Sequence, residues 1–236
     1  MEKLTVITWL WKGSDWRQTY TAQHVNALQR MVAANLKIPH KFICITDIPE
    51  GIECETMGLI DIGVKSIIPT WPNCYNRLKA FDLELGKKLG NRFISMDLDC
   101  VITGDITELF TRKKDFIILE GRACHYNGSL WMMDAGARQR VWDDFDPVIS
   151  PIMAMQGQNK NGTRFFGSDQ AWISFCLGAG EAIWELGQDG LYQFTEMEGL
   201  VIPNDAKLVF FAGDSKPWTE TPFSALQTIY NKYKGS

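Results

Sequence analysis

The stretch MDLDC at residues 96–100 sets two carboxylates, Asp97 and Asp99, one residue apart at the end of an apolar run, Arg92 to Met96. That run has the pattern of a strand covered on both faces, and open α/β sheets hold ligands at the carboxyl ends of such strands. Ionised carboxylates there cost free energy unless a positive partner joins them. Hard oxygen donors suit Mg²⁺ or Mn²⁺, and such an ion usually completes its sphere with substrate phosphates. The chemistry expected of the pair is stabilisation of a phosphate leaving group.

A bare D-x-D is a weak signal, because aspartates also cap turns and helices. Three further stretches join it. CYNRLKAF puts Arg77 and Lys79 near the start of a helical pattern otherwise built for burial. FFGSDQAW sets Asp169 and Gln170 at a helix start, where capping and dipole complementarity are the plainer use. AGDSKPW gathers Gly213, Lys216 and a tryptophan in a late turn.

The elements that must position these residues follow from periodicity. Leu4 to Leu10 and Lys41 to Thr46 read as strands around a helix from Tyr20 to Leu36. Tyr75 to Leu89 reads as a second helix, closed by Gly90, before the strand that ends at MDLDC. This alternation predicts an α/β fold with parallel pairing, a Rossmann-like sheet flanked by helices. Neither G-x-G-x-x-G nor G-x-x-x-x-G-K-[ST] occurs, which removes support for dinucleotide and P-loop chemistry.

Later strands are expected at Phe116 to Leu119, Ser129 to Met133 and Lys207 to Phe211. Helices are expected around Arg138 to Phe145, after a capping Ser168, and beyond Pro222. Residues 157–164, GQNKNGTR, read as a mobile surface loop. No repeat or linker divides the chain, so one domain over residues 1–236 is the expectation.

At 236 residues and a net charge of −4 the chain lacks the basic footprint of nucleic-acid recognition. No stretch approaches the roughly 20 apolar residues of a membrane span, and no export signal is evident at Met1. Cys44, Cys54, Cys74, Cys100, Cys124 and Cys176 have neither C-x-x-C nor zinc spacing and read as reduced thiols, which points to the cytoplasm. His24, His40 and His125 read as structural or surface residues, as do Asp61, Asp105, Asp134 and the Asp143-Asp144 pair. Trp9, Trp71 and Trp131 read as packing. Trp11 could reach a base or sugar face, and Thr46 with Asp47 either binds a base or forms a turn.

In this order the motifs resemble the retaining nucleotide-sugar glycosyltransferases of the family that contains glycogenin and the bacterial lipopolysaccharide galactosyltransferases. FISMDLDCVITGDITELF is similar to the family's strand and D-x-D, whose acids bind Mn²⁺. YNRLKAF resembles its Y-x-R-L-K helix start, HYNGSLWMM its F-N-[AS]-G-V strand, GSDQAWI its D-Q turn, and GDSKPW its G-x-x-K-P-W turn. The resemblance implies a single-domain GT-A fold and Mn²⁺ or Mg²⁺ on Asp97 and Asp99. It implies donor contacts from Tyr20, Arg77, Lys79, Asp97, Asn127, Gly128, Gly213 and Lys216, with Asp169 and Gln170 at the reacting centre. The family's third metal ligand, a histidine three residues before the glycine of the last turn, is Phe210 here. A phenylalanine cannot coordinate a cation.

The function expected is transfer of a sugar from a nucleotide diphosphate donor, a uridine one by the resemblance, to an acceptor the sequence does not identify. The competing class is a sugar-binding protein that has lost catalysis with its histidine. A nucleotidyltransferase would need a glycine-rich, lysine-containing loop after the first strand, and none is present.

Overall fold

The computed structural model describes residues 3–12, 20–60, 62–64, 74–197, 201–219 and 225–235. In chain order its strands are β1 (Leu4–Leu10), β2 (His40–Thr46), β3 (Glu55–Gly58), β4 (Arg92–Met96), β5 (Cys100–Ile102), β6 (Phe116–Glu120), β7 (Tyr126–Asp134), β8 (Ile183–Trp184), β9 (Leu191–Gln193) and β10 (Leu208–Phe210). The helices are α1 (Ala22–Asn35), α2 (Leu83–Leu89), α3 (Thr107–Phe110), α4 (Arg140–Asp143), α5 (Ser150–Ala154), α6 (Asp169–Leu177) and α7 (Ala225–Lys234). Trp16, Asp61 and Trp71 lie outside the described residues.

A mixed seven-stranded sheet runs in the order β3-β2-β1-β4-β7-β6-β8. Alternation along its strands serves two apolar cores at once. Val6, Phe42, Cys44, Ile94, Met132 and Ile117 join one core, under α1 and α7. Ile7, Ile43, Phe93, Trp131 and Ile118 join the other, on the face that carries α6. Burial on both faces is why these segments read as continuous apolar runs. Strands β1, β2 and β4 are mutually parallel, so their carboxyl ends share one edge. The chain turns from β1 toward β2 on one side and is met by β4 on the other, which opens a crevice at that edge.

Beyond β4 the chain leaves this sheet within three residues and enters a second one, ordered β5-β10-β9. Strand β5 pairs antiparallel with β10, Phe210 opposite Cys100, and the amide of Phe211 donates to the carbonyl of Asp99 at 2.9 Å. Asp97 and Asp99 therefore occupy the crossing between the two sheets.

Several elements differ from the sequence expectation. The helix expected over Tyr75 to Leu89 is a 3₁₀ turn, Tyr75–Phe81, followed by α2. The break is Asp82, whose extended backbone and carboxylate, accepting from the amide of Glu84 at 3.1 Å, cap α2. The first helix starts at Ala22 because Thr21 is extended, its N–H donating to Nδ1 of His24 at 2.9 Å. Ser168 precedes α6 without capping it, since its Oγ accepts from the amide of Cys74 at 2.9 Å. The segment 157–164 closes as a hairpin-like loop in which Gln158 bridges Arg164 and the carboxamide oxygen of Asn159 accepts from two amides. Among the described residues no helix is long and apolar enough to cross a membrane, and all six cysteines are free.

Candidate functional site

The parallel edge of the sheet gathers residues from five places in the chain. Asp97 and Asp99 come from the crossing after β4, and Tyr20 from the residues that precede α1. Arg77 comes from the 3₁₀ turn, Asp169 from the first turn of α6, and Lys216 from the turn that follows β10. All six converge on one ionic cluster.

At its centre Arg77, 7% exposed, ion-pairs with Asp97 and lies against Asp169, itself 2% exposed. Its Nη2 donates to Asp169 Oδ1 at 3.1 Å, and its Nε stands 2.8 Å from Oδ2 without hydrogen-bond alignment. Burial opposes the guanidinium charge, but Asp169 and Asp97 outweigh it and hold Arg77 well above its usual pKa. Asp99 belongs to the other half of the cluster: its Oδ2 accepts from Lys216 Nζ at 2.5 Å and from the Tyr20 hydroxyl at 2.9 Å. Burial first, and then Asp99 and Asp97, push the Tyr20 phenol upward, so it stays a donor.

Three carboxylates thus face two cations, and the cluster carries surplus negative charge. Asp97 registers it. Burial is the main cause of its rise to about 6, with Asp99 and Asp169 adding to it, against the pull of Arg77 and a hydrogen bond from Ser129.

Gly128 is what lets the cluster close. A Cβ built there would lie 2.7 Å from Asp169 Oδ2 and 3.2 Å from Arg77 Nη2. The glycine sits where the register of β7 against β6 shifts, between Ile118 and Leu119. Asn127 beside it accepts from the amide of Ser129 at 2.9 Å.

Other anticipated residues stand apart from the ions. Lys79 reaches Asp82 at 2.7 Å and covers the ring of Trp142 at 4.1 Å, on the far side of the 3₁₀ turn. The Gln170 amide folds back to donate to the carbonyl of Phe166 at 2.8 Å, over Gly167. Gly213 takes the left-handed conformation, φ +62°, with open space where a Cβ would point. The Asp47 carboxylate accepts from the amide of Lys12 at 3.1 Å, and Trp11 packs against the core.

Three further residues touch the site, and none was read from sequence as part of it. The Ser129 carbonyl accepts from the Asp97 amide at 3.0 Å, Ser168 lies 3.3 Å from Asp169 Oδ1 through its hydroxyl, and Cys74 adjoins Arg77, its thiol raised to about 11 chiefly by burial. Nothing in a lone serine or cysteine distinguishes such a role. Trp218 completes the wall by stacking on His24 at 3.9 Å and meeting Tyr20 edge-on.

The fit of a divalent cation can be tested on this donor set. Asp97 and Asp99 offer hard oxygens, and the surplus negative charge favours a cation. Among the described residues no group of three His, Cys, Asp or Glu side chains could hold a metal. Phe210 is buried in the apolar core. The residues fit a cation whose remaining ligands come from a phosphate-bearing partner.

No protein-family model matches the sequence, and no curated protein matches it. Among solved structures, the galactosyltransferase LgtC in complex with donor and acceptor sugar analogs superposes with a TM-score of 0.61 at 12% identity, over 99% of this chain and 97% of that one. The apo-form glycosyltransferase GlyE of Streptococcus pneumoniae TIGR4 superposes with a TM-score of 0.64 at 12% identity, covering 100% of this chain. This chain spans 61% of the GlyE chain. The likeness shows the fold, which is that of the GT-A glycosyltransferases.

Proposed function

We propose that the chain is a glycosyltransferase that moves a sugar, a hexose, from a nucleoside diphosphate donor to an acceptor, with the cluster around Arg77 as its donor site. The donor is read as a uridine diphosphate sugar and the transfer as retaining, on the motifs set out above. The observation that carries the reading is the charge-imbalanced set of Asp97, half-buried, with buried Asp99, Asp169, Arg77 and Lys216 at the parallel edge of a GT-A sheet.

Asp97 and Asp99 would hold Mn²⁺ or Mg²⁺, which when bound supplies Lewis-acid stabilisation of the departing diphosphate. Lys216 pairs with Asp99 and would bring a positive charge to where the leaving group develops its negative one. The donor sugar would lie against Gly128 and Asn127, as the motif resemblance implies, with Asp169 packed close against the glycine. Arg77 holds the Asp169 carboxylate in one orientation, aimed at the sugar, where its charge would stabilise an oxocarbenium-like centre. Gln170, next to it, would meet the sugar after its amide leaves Phe166.

The test is incubation with a panel of nucleotide sugars and Mn²⁺, measuring free nucleoside diphosphate. Slow donor hydrolysis is the expected result, with a preference among bases and sugars. The second reading, a sugar-binding protein without turnover, draws on Phe210 at the position of the family's histidine. Silence from the whole panel together with tight donor binding would establish it instead.

A further inference from the structure

Resting on that donor reading, we infer that Lys216 is an internal counter-ion that closes the metal position in the free protein and is released by the donor's diphosphate. The two cations of the cluster are held very differently. Arg77 is fixed between Asp97 and Asp169 and wrapped by both. Lys216 touches one carboxylate only, and it does so at the Oδ2 that Tyr20 also occupies. With the lysine and the phenol both on Oδ2, its two lone pairs are taken, so a metal that binds Asp99 through this oxygen does so only after Lys216 has moved.

The chain around Lys216 suits such a movement. Its carbonyl accepts from both the amide and the hydroxyl of Thr219, at 3.0 and 3.1 Å, so the backbone is anchored in the turn. Its side chain is a four-carbon stem ending in a compact charge, which can change partner without the backbone moving. Tyr20 lies alongside, its ring 5.7 Å from Nζ, and lines the path.

The electrostatics give the exchange its direction. The cluster already has one negative charge too many, and an arriving diphosphate adds more. Lys216 gains by turning to it, because a diphosphate offers several charged oxygens where Asp99 offers one. Asp99 is thereby uncovered at the moment phosphate oxygens arrive to supply the ligands that Phe210 cannot. Metal and donor binding are then obligatorily coupled through one lysine, and Mn²⁺ retention without nucleotide is weak by design of the pocket.

The experiment measures Mn²⁺ binding by calorimetry and by the loss of the free Mn²⁺ paramagnetic resonance signal, with and without UDP. Wild type, Lys216→Met and Tyr20→Phe are compared, each checked for folding by circular dichroism. Wild type should bind Mn²⁺ weakly alone and at least tenfold more tightly with UDP present. Lys216→Met should bind Mn²⁺ alone at least tenfold more tightly than wild type, and UDP should add little more. Tyr20→Phe keeps the charge and should stay as closed as wild type.

Unchanged Mn²⁺ binding by folded Lys216→Met would overturn the inference, and so would opening of the site by Tyr20→Phe alone. That second outcome holds even if the methionine variant does not fold. UDP binding with Mn²⁺ by wild type, beside such a result, leaves the donor reading standing. Absence of UDP binding under every condition removes the donor reading itself.

Discussion

Replacing Gly128 by alanine adds one methyl group at the point where the ionic cluster is tightest. The new Cβ would stand 2.7 Å from Asp169 Oδ2, 3.3 Å from Asp169 Cγ and 3.2 Å from Arg77 Nη2. An ordinary carbon–oxygen contact needs roughly half an ångström more than the first of these, so the carboxylate must retreat. Asp169 has little room to do so, being 2% exposed and held by an arginine that Asp97 also holds. Overpacking of this kind costs about 1–3 kcal/mol, and partial loss of a buried ion pair adds to it. A displaced Asp169 would no longer face the reacting carbon, and a misplacement approaching about 1 Å lowers a rate by up to about 10²-fold. Urea unfolding and donor hydrolysis, measured on the same preparation, read both effects. An alanine variant as stable and as active as wild type would show that neither the contact nor Asp169's position matters, and would refute the reading of the cluster.

Asp97→Ala and Asp99→Ala should each lower donor turnover by about 10²-fold or more, but they should differ in stability. Asp99→Ala strands buried Lys216, at a cost of about 3–5 kcal/mol, whereas Asp97→Ala leaves Arg77 with Asp169; equal urea midpoints would contradict this. Asp169→Asn should reduce kcat more than it changes KM, and a rise in KM alone would make it a donor-positioning residue. His24, held by burial and then by Lys234 at a pKa of about 4, contributes stability that is whole above its unfolded value near 6.5 and is lost as pH falls toward 4. At about 1.4 kcal/mol per pH unit, wild type should lose on the order of 3 kcal/mol more than His24→Gln between pH 7 and pH 4 in urea titrations. Parallel losses would place the acid sensitivity elsewhere.

The frame was largely legible because its strands are buried on both faces. Leu4–Leu10 and Arg92–Met96 are buried on both faces beyond their first residues, and their bounds agree with the sequence reading. The short strands β5, β8 and β9 were not legible, since two or three residues carry no period. The 3₁₀ turn was hidden by Leu78, Phe81 and Leu85, which keep a helical spacing across the cap at Asp82. The charged residues of the site could be named from their motifs, but not their pairing. That Lys79 turns to Trp142 while Arg77 turns to the acids depends on which side of a tight turn each one leaves. Ser129 was invisible for a similar reason, as Asp97 lies 32 residues away, and Ser168 read only as a helix cap although its hydroxyl accepts from Cys74, 94 residues away.

The small sheet bears on how this chain can change its length. Strand β5 carries the chain onward from Asp99, and β10 leads into the turn that bears Lys216, so the acid and its lysine are held in step by a ladder of three residue pairs. An inserted residue in either strand would turn the ladder's faces over and move acid and lysine out of reach of each other. The loop at 157–164 is under no such constraint, because its hydrogen bonds close within itself, join its two ends to Ala154 and Phe165, or reach the carbonyl of Arg122. Relatives of this chain should therefore vary freely in length there, while the spacing from Asp99 to Cys100 and from Phe210 to Lys216 stays fixed.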